Sequence, residues 1–264
     1  MEIFELDILK RAFWVVTLIA PIAPLIGVFL IFRRYAFFAD TLAHVGFLAI
    51  ALSVFLNLNS LLILVALSIT VAVSVEHLRT KGKLPAEGSL SLFLYAGVAL
   101  SVLLITLSGK SASVMSILFG SLSTTSQEDL YLILCGSILC IFFLIKFHKK
   151  MLNLCIDEEI AQASGINISF LKMIFAITVA VCISISIKTM GALLIGSLML
   201  IPVLSAMQIA KSLRFTAIMS VIYSVFSSYA GIFLSYYSDI PLGASISVIL
   251  ISLFIFSFIF KRSR

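Results

Sequence analysis

The chain of 264 residues is 62% hydrophobic and only 11% charged, with a mean hydropathy of +1.23. Soluble domains are about 45–50% apolar and about 25% charged, so this composition excludes a soluble globular protein and predicts a polytopic membrane protein. The net charge of +6 does not indicate nucleic-acid binding, because the basic residues fall in small groups between apolar runs.

Nine apolar runs approach the length of about 20 residues that a membrane-spanning helix needs. They lie near 12–32, 40–57, 58–78, 89–108, 129–147, 169–188, 190–210, 215–237 and 241–260. Almost no link separates two of them at Lys188–Gly191, so we predict eight or nine spans, one of them broken or re-entrant. The expected fold is all-α, a single transmembrane permease domain over 1–264 with residues 12–260 embedded in the membrane.

Basic residues predict the orientation of the chain. Alternation through nine spans places fourteen of the eighteen lysines and arginines on one face, which leaves only Lys10, Arg11, Lys110 and Lys188 on the other. Positive residues favour the cytoplasmic side. We therefore expect a multi-pass protein with its N-terminus outside and its C-terminus in the cytoplasm.

Two segments, 149–168 and 202–215, are predicted to be cytoplasmic. The stretch "LCIDEEIAQASGI" (154–166) has acids where a helix begins and Gly165 where it would end. The stretch "IPVLSAMQIAKSLRF" (201–215) contains Pro202 at an expected helix bend and ends near Lys211 and Arg214. Both segments are either ordinary connecting loops or docking elements for a cytoplasmic partner.

Most acidic residues can be placed in loops or at termini, and Asp40 and Asp239 are the exceptions. The first group comprises Glu2, Glu5, Asp7, Glu76, Glu87, Glu128, Asp129, Asp157, Glu158 and Glu159. Asp40 lies in the apolar run "FFADTLAHVGFLAIALSVFL" (37–56), where an ionisable group costs about 2.5–3.5 kcal/mol and normally faces a cavity or a partner. Asp239 precedes Pro241 and also suits an external turn.

Asp40 and His44 are four residues apart, which places both side chains on one helical face. A carboxylate with an imidazole suits borderline divalent metals such as zinc or manganese. The alternative is structural: Asp40 would cap the helix by accepting the amide hydrogen of Ala43, and His44 would be a buried, hydrogen-bonded histidine.

The rest of the sequence has no motif that indicates a thiolate metal site or a nucleotide-binding site. The four cysteines are scattered without a CxxC pair, which is typical of small apolar helix residues. A nucleotide-binding GxxxxGKS motif is absent from the sequence, so we do not expect an enzyme.

Four stretches together resemble one family. They are "RRYAFFADTLAHVGFLAIAL", "DEEIAQASGI", "MGALLIGSLMLIPVLSAMQIAKS" and "YYSDIPLGASISVIL". Their order and spacing, over about residues 12–260, resemble the metal-ion ABC importer permeases for zinc and manganese.

The resemblance implies a homodimeric permease in the bacterial inner membrane, with two cytoplasmic ATP-binding subunits and a periplasmic or extracellular metal-binding protein. The fold would be similar to that of the vitamin B12 and siderophore importers. Asp40, His44 and Asp239 match residues of the metal path, with Zn²⁺ or Mn²⁺ as cargo and no tightly bound cofactor. The ATPase-coupling helix would lie in Pro202–Arg214, including Lys211, with 157–165, including Glu159 and Gly165, as the second candidate.

Simple alternation sets Asp40 and Asp239 roughly 25 Å apart, at opposite ends of straight helices. They would then mark successive stations, unless the helix of Asp40 begins inside the membrane. We favour the second option, because Tyr35–Ala39 is too apolar for a cytoplasmic loop.

The hypothesis is therefore ATP-driven import of a divalent cation, with zinc as the first candidate. Alternatives are a manganese or iron permease of the same family, a siderophore or cobalamin permease, and a non-transporting membrane scaffold subunit.

Overall fold

A computed structural model describes residues 7–82, 85–109, 127–238 and 240–260. These residues form ten α-helices and no strand. The helices are α1 (Asp7–Phe32), α2 (Phe37–Leu56), α3 (Ser60–Thr80), α4 (Ala86–Ser108), α5 (Gln127–Ile156), α6 (Glu158–Ala163), α7 (Ile168–Met190), α8 (Ala192–Ile209), α9 (Leu213–Ser238) and α10 (Leu242–Ile259).

Among the described residues, eight helices are long and apolar enough to cross a membrane, namely all except α6 and α8. The apolar part of α8, Leu194–Ile209, is shorter than the others. The predicted all-α fold with eight or nine spans is confirmed. The near-absence of a link at Lys188–Gly191 is also confirmed, since α7 and α8 are joined through Gly191 alone, at φ +90°.

Helix α8 occupies the centre of the bundle, with α1, α2, α9 and α10 packed around it. Leu194, Ile195, Leu198 and Met199 of α8 are at most 1% exposed. Close packing depends on Gly27 of α1, because a Cβ there would collide with the backbone carbonyl of Met199. Van der Waals packing of this kind holds membrane helices together where lipid removes the hydrophobic driving force.

The segment 202–215, predicted to be cytoplasmic, begins inside a long helix. Helix α8 continues through Pro202 to Ile209, and only residues 210–212 lie between α8 and α9. Pro202 is buried within the helix, and the cytoplasmic placement of the segment stays a prediction.

Candidate metal site

Asp40 lies inside the first turn of α2 and does not cap it. The helix begins at Phe37, and its cap residue, Ala36, makes no side-chain capping bond. The capping alternative for Asp40 is therefore wrong. His44 follows one turn later, so the predicted arrangement of both side chains on one face holds.

This face of α2 is incompletely covered by the rest of the chain. Asp40, His44, Phe47 and Leu48 lie along it and are all half-buried. The opposite face is closed, with Phe38, Leu42, Val45 and Ala49 at most 1% exposed. An acid and an imidazole thus stand on the side of the helix that remains accessible.

Gly196 of α8 leaves the space that the Asp40 carboxylate occupies. A Cβ at Gly196 would lie 2.6 Å from Oδ1 of Asp40, closer than any side chain allows. The carboxylate therefore rests directly on the backbone of the central helix. The carboxylate can occupy this position only because residue 196 has no side chain.

The surface of α8 beside this contact is also incompletely covered. Ser197 Oγ lies 3.1 Å from Ser247 Oγ of α10, and both serines are half-buried. Leu200 and Ile201 are half-buried and Leu204 is 39% exposed along the same side of α8. Asp40 and His44 thus border a partly open face that α2 and α8 share.

Within the described ranges, no group of three or more His, Cys, Asp and Glu side chains could hold a metal ion. Asp40 and His44 supply two donors, fewer than the four that a closed zinc site uses. Asp239, the third predicted ligand, lies outside the described residues. A complete coordination shell therefore needs donors beyond those that the described part of one chain brings together.

The link between α1 and α2 is tucked into the protein. Tyr35 is 4% exposed and stacks on Phe38 of α2 with ring centroids 4.8 Å apart. The guanidinium of Arg79 lies 5.0 Å and that of Arg33 5.9 Å from the Tyr35 ring centre. Burial raises the pKa of Tyr35, so its hydroxyl stays protonated. Asp40 accordingly follows a link whose Tyr35 is buried, and the start of α2 inside the membrane stays a prediction.

Glu76 was wrongly predicted to lie in a loop or terminus. It lies inside α3, is 1% exposed, and has Oε2 3.6 Å from Nη1 of Arg79. Its placement could not be read from hydropathy, because Glu76 and Arg79 stand near the end of an apolar run where a loop would begin. Gly196 was also missed, although a glycine within "GALLIGS" is a signal for close backbone approach.

Helix α6 forms the predicted acidic start. Oδ1 of Asp157 accepts the amide hydrogens of Glu159 at 2.7 Å and Ile160 at 3.3 Å. Gly165, at φ +75°, follows the helix end as predicted. Glu159 is exposed, and so is Ile160 at 59%. Lys211 and Arg214, in the other predicted segment, are also exposed.

The fold and this site together define a multi-pass helical membrane permease. The model of the ABC 3 transport family matches residues 5–261, and the chain belongs to this family. The resemblance stated from the sequence motifs is thereby confirmed.

The chain is 32% identical over 243 residues to the high-affinity zinc uptake system membrane protein ZnuB of Haemophilus influenzae, covering 92% of each. It is 23% identical to the manganese transport system membrane protein MntC of Halalkalibacterium halodurans, covering 100% of this chain and 90% of that protein. Among solved structures, PsaBC from Streptococcus pneumoniae in complex with Fab has a similar fold. Its TM-score is 0.84 at 21% identity, over 97% of this chain and 92% of that one.

Proposed function

We propose that this chain is the permease subunit of an ATP-binding-cassette importer for divalent metal ions, with zinc as its principal cargo. The observation that carries the proposal is the position of Asp40 and His44, which share the partly open face of α2. The similarity of the chain to ZnuB of Haemophilus influenzae supports zinc as the cargo.

Two copies of the chain would complete the metal site. Each copy offers one carboxylate and one imidazole, and a two-fold axis beside the open face of α2 would bring two of each together. Four nitrogen and oxygen donors suit tetrahedral zinc. Asp239 remains a proposed second station on the metal path. Binding at each station must stay weak enough for release, as conduction requires.

The energy for import would come from other subunits. The sequence holds no GxxxxGKS motif, so two cytoplasmic ATP-binding subunits would hydrolyse ATP, and a metal-binding protein outside the inner membrane would deliver the ion. The excess of lysine and arginine on one face sets the cytoplasmic side, with the N-terminus outside and the C-terminus inside.

Helix α6 is the better candidate for docking the ATP-binding subunits. Glu159 and Ile160 are exposed on it, and Gly165 ends the segment sharply. In the other candidate, Pro202 is buried in α8 and Arg214 lines a groove between membrane helices. Lys211 is exposed on the short link of residues 210–212, which offers a smaller surface than α6. We therefore reverse the order of the two candidates that the resemblance implied.

Reconstitution tests the proposal. Vesicles that contain the chain with its ATP-binding subunits should accumulate radioactive zinc when ATP and the metal-binding protein are supplied. Asp40→Asn and His44→Ala should reduce uptake to the level of vesicles without the chain, because each removes one metal ligand.

Matched controls are Glu87→Gln, which changes an exposed acid in the first turn of α4, and His77→Ala, which changes an exposed histidine of α3. Both should transport like the wild type. Wild-type uptake by Asp40→Asn and His44→Ala would overturn the site. Absence of metal uptake by an assembled wild-type complex would favour a scaffold subunit.

Manganese is the second candidate cargo, since the chain is also similar to MntC of Halalkalibacterium halodurans. Oxygen and nitrogen donors accept both ions. Inhibition of labelled-zinc uptake by unlabelled zinc, manganese and iron would rank the three ions as cargo. Stronger inhibition by manganese than by zinc would make manganese the principal cargo.

A further inference from the structure

A membrane-facing groove lies between three helices, at the end of the bundle where α1 ends and α9 begins. Helices α5 and α9 both pack on α1 but make little contact with one another, so α1 forms the floor and the other two form the walls. The cavity has a volume of about 430 Å³. That is within the range of about 300–1,000 Å³ typical of ligand pockets.

The groove is apolar along its length and basic at its rim. Val28 and Phe29 of α1, Leu144 of α5 and Leu213 of α9 line the apolar part. His148 of α5 and Arg214 of α9 also line it, and both are exposed. Among the residues that the structure describes, Arg214 has no acidic partner. A ligand with an apolar body and an anionic end therefore matches the groove.

His148 is oriented for such a ligand. Its Nδ1 lies 3.0 Å from the carbonyl oxygen of Ile145, and a carbonyl only accepts, so Nδ1 carries the hydrogen. In this neutral tautomer Nε2 is an acceptor, so it suits a hydroxyl of the ligand's headgroup rather than a phosphate oxygen. The guanidinium of Arg214 adds a permanent charge with geometry suited to a phosphate.

The surroundings are those of a lipid-facing surface. Only 22% of the apolar window of α5 is buried inside the chain. The same end of the bundle carries Lys146, Lys149 and Lys150 on α5 and Lys211 before α9, all of them exposed. Anionic lipids of the cytoplasmic leaflet concentrate beside basic residues at such helix ends.

We propose that this groove binds one anionic phospholipid, with an acyl chain against Val28 and Phe29, the phosphate at Arg214 and a headgroup hydroxyl at His148. The lipid would fill the gap between α5 and α9 and hold both helices against α1. Unlike the metal site, it does not depend on the identity of the transported ion.

Native mass spectrometry of the full chain, purified with its ATP-binding subunits, tests the proposal. The complex is incubated with vesicles of phosphatidylglycerol or of phosphatidylethanolamine, and the retained lipid is counted. Wild type should retain phosphatidylglycerol preferentially. Arg214→Ala should lower that retention about fivefold, as expected for the loss of one basic contact.

Two further variants separate the parts of the site. Ala217→Phe places a ring in the groove and should lower the retention of both lipids. Lys81→Ala removes an exposed charge at the end of α3, away from the groove, and should bind like the wild type. Excess inorganic phosphate should not displace the lipid, because it lacks an acyl chain.

Several outcomes would overturn the proposal. Equal retention by wild type and Arg214→Ala would remove the headgroup contact. Displacement by phosphate would make the site one for a free anion. Disulfide formation between Ala217→Cys residues of two copies would assign the groove to a second copy of the chain.

Discussion

Asp40 and Glu76 are both acids within apolar helices, yet their surroundings differ. Glu76 is 1% exposed and paired with Arg79, beside the buried Tyr35. Asp40 is half-buried on a partly open face, and its carboxylate rests on Gly196; among the described residues no lysine or arginine forms an ion pair with it. A paired and covered acid is held by its cation within the protein, whereas an acid that keeps an open side is suited to receive a cation from outside.

The largest effect on stability is expected at Arg79. Arg79→Ala leaves the Glu76 carboxylate buried without its cation, and loss of one partner of a buried pair costs about 3–5 kcal/mol. Thermal unfolding of the purified chain would measure this loss. The control is Arg34→Ala, an exposed arginine of the neighbouring link, which should unfold like the wild type.

If Arg79→Ala unfolds at the wild-type temperature, the ion pair with Arg79 does not stabilise the buried Glu76 carboxylate. The distinction between a paired Glu76 and an open Asp40 would then be wrong. The double variant Glu76→Gln with Arg79→Ala should recover part of the stability, because it removes the stranded charge.

Gly196→Ala should weaken transport while preserving the fold. The new methyl group would displace the Asp40 carboxylate, which is the free end of a side chain and can move. We expect metal uptake to fall at least about tenfold, since a shift of about 1 Å in a positioned group can cost up to about a hundredfold. Vesicle uptake, normalised to the amount of assembled complex, measures the effect.

Gly88→Ala is the matched control, because a Cβ there meets only Pro85 at an ordinary distance of 3.4 Å. Undiminished uptake by Gly196→Ala would mean that the position of the Asp40 carboxylate does not matter for transport.

Asp157 is an acid of a third kind, because it binds backbone amides rather than a cation. Asp157→Ala removes the cap of α6, and loss of such a cap costs about 1 kcal/mol. Hydrogen exchange of the amides of 158–163 should accelerate about fivefold. Glu159→Gln keeps the cap and should leave that exchange unchanged, and equal protection in both variants would contradict the capping role.

The smallest effect is expected for Glu158, whose Oε1 lies 2.7 Å from Nζ of Lys172 at the surface. Partial burial alone would raise the pKa of Glu158, but the hydrogen bond and charge of Lys172 lower it below the ordinary 4.5. Its stabilising contribution is therefore complete above pH 4.5 and is lost as pH falls through the lowered pKa.

An exposed pair of this kind contributes about 0.2–1 kcal/mol. Thermal unfolding of Lys172→Gln should show this loss at pH 7 and a smaller one at pH 3. A larger loss at pH 3 than at pH 7 would reverse the assigned sign.

The sequence was sufficient for the features that depend on local pattern. Hydropathy located the spans, helical spacing placed Asp40 and His44 on one face, and the acidic run with Gly165 bounded α6. Features that depend on packing between distant segments were beyond it. Glu76 was misplaced because the Tyr35 ring, which contacts its partner Arg79, comes from a distant segment. The exact end of α8 was also beyond the sequence, because neighbouring helices sustain this helix past Pro202. The role of Gly196 requires knowing that α2 crosses α8.

The most direct test is equilibrium binding of zinc to the purified permease alone, combined with a measurement of its oligomeric state. The account predicts one ion for every two chains at the α2 face, lost in His44→Ala and in Asp40→Asn and retained in His77→Ala and Glu87→Gln. Unchanged zinc binding in His44→Ala and Asp40→Asn would contradict it.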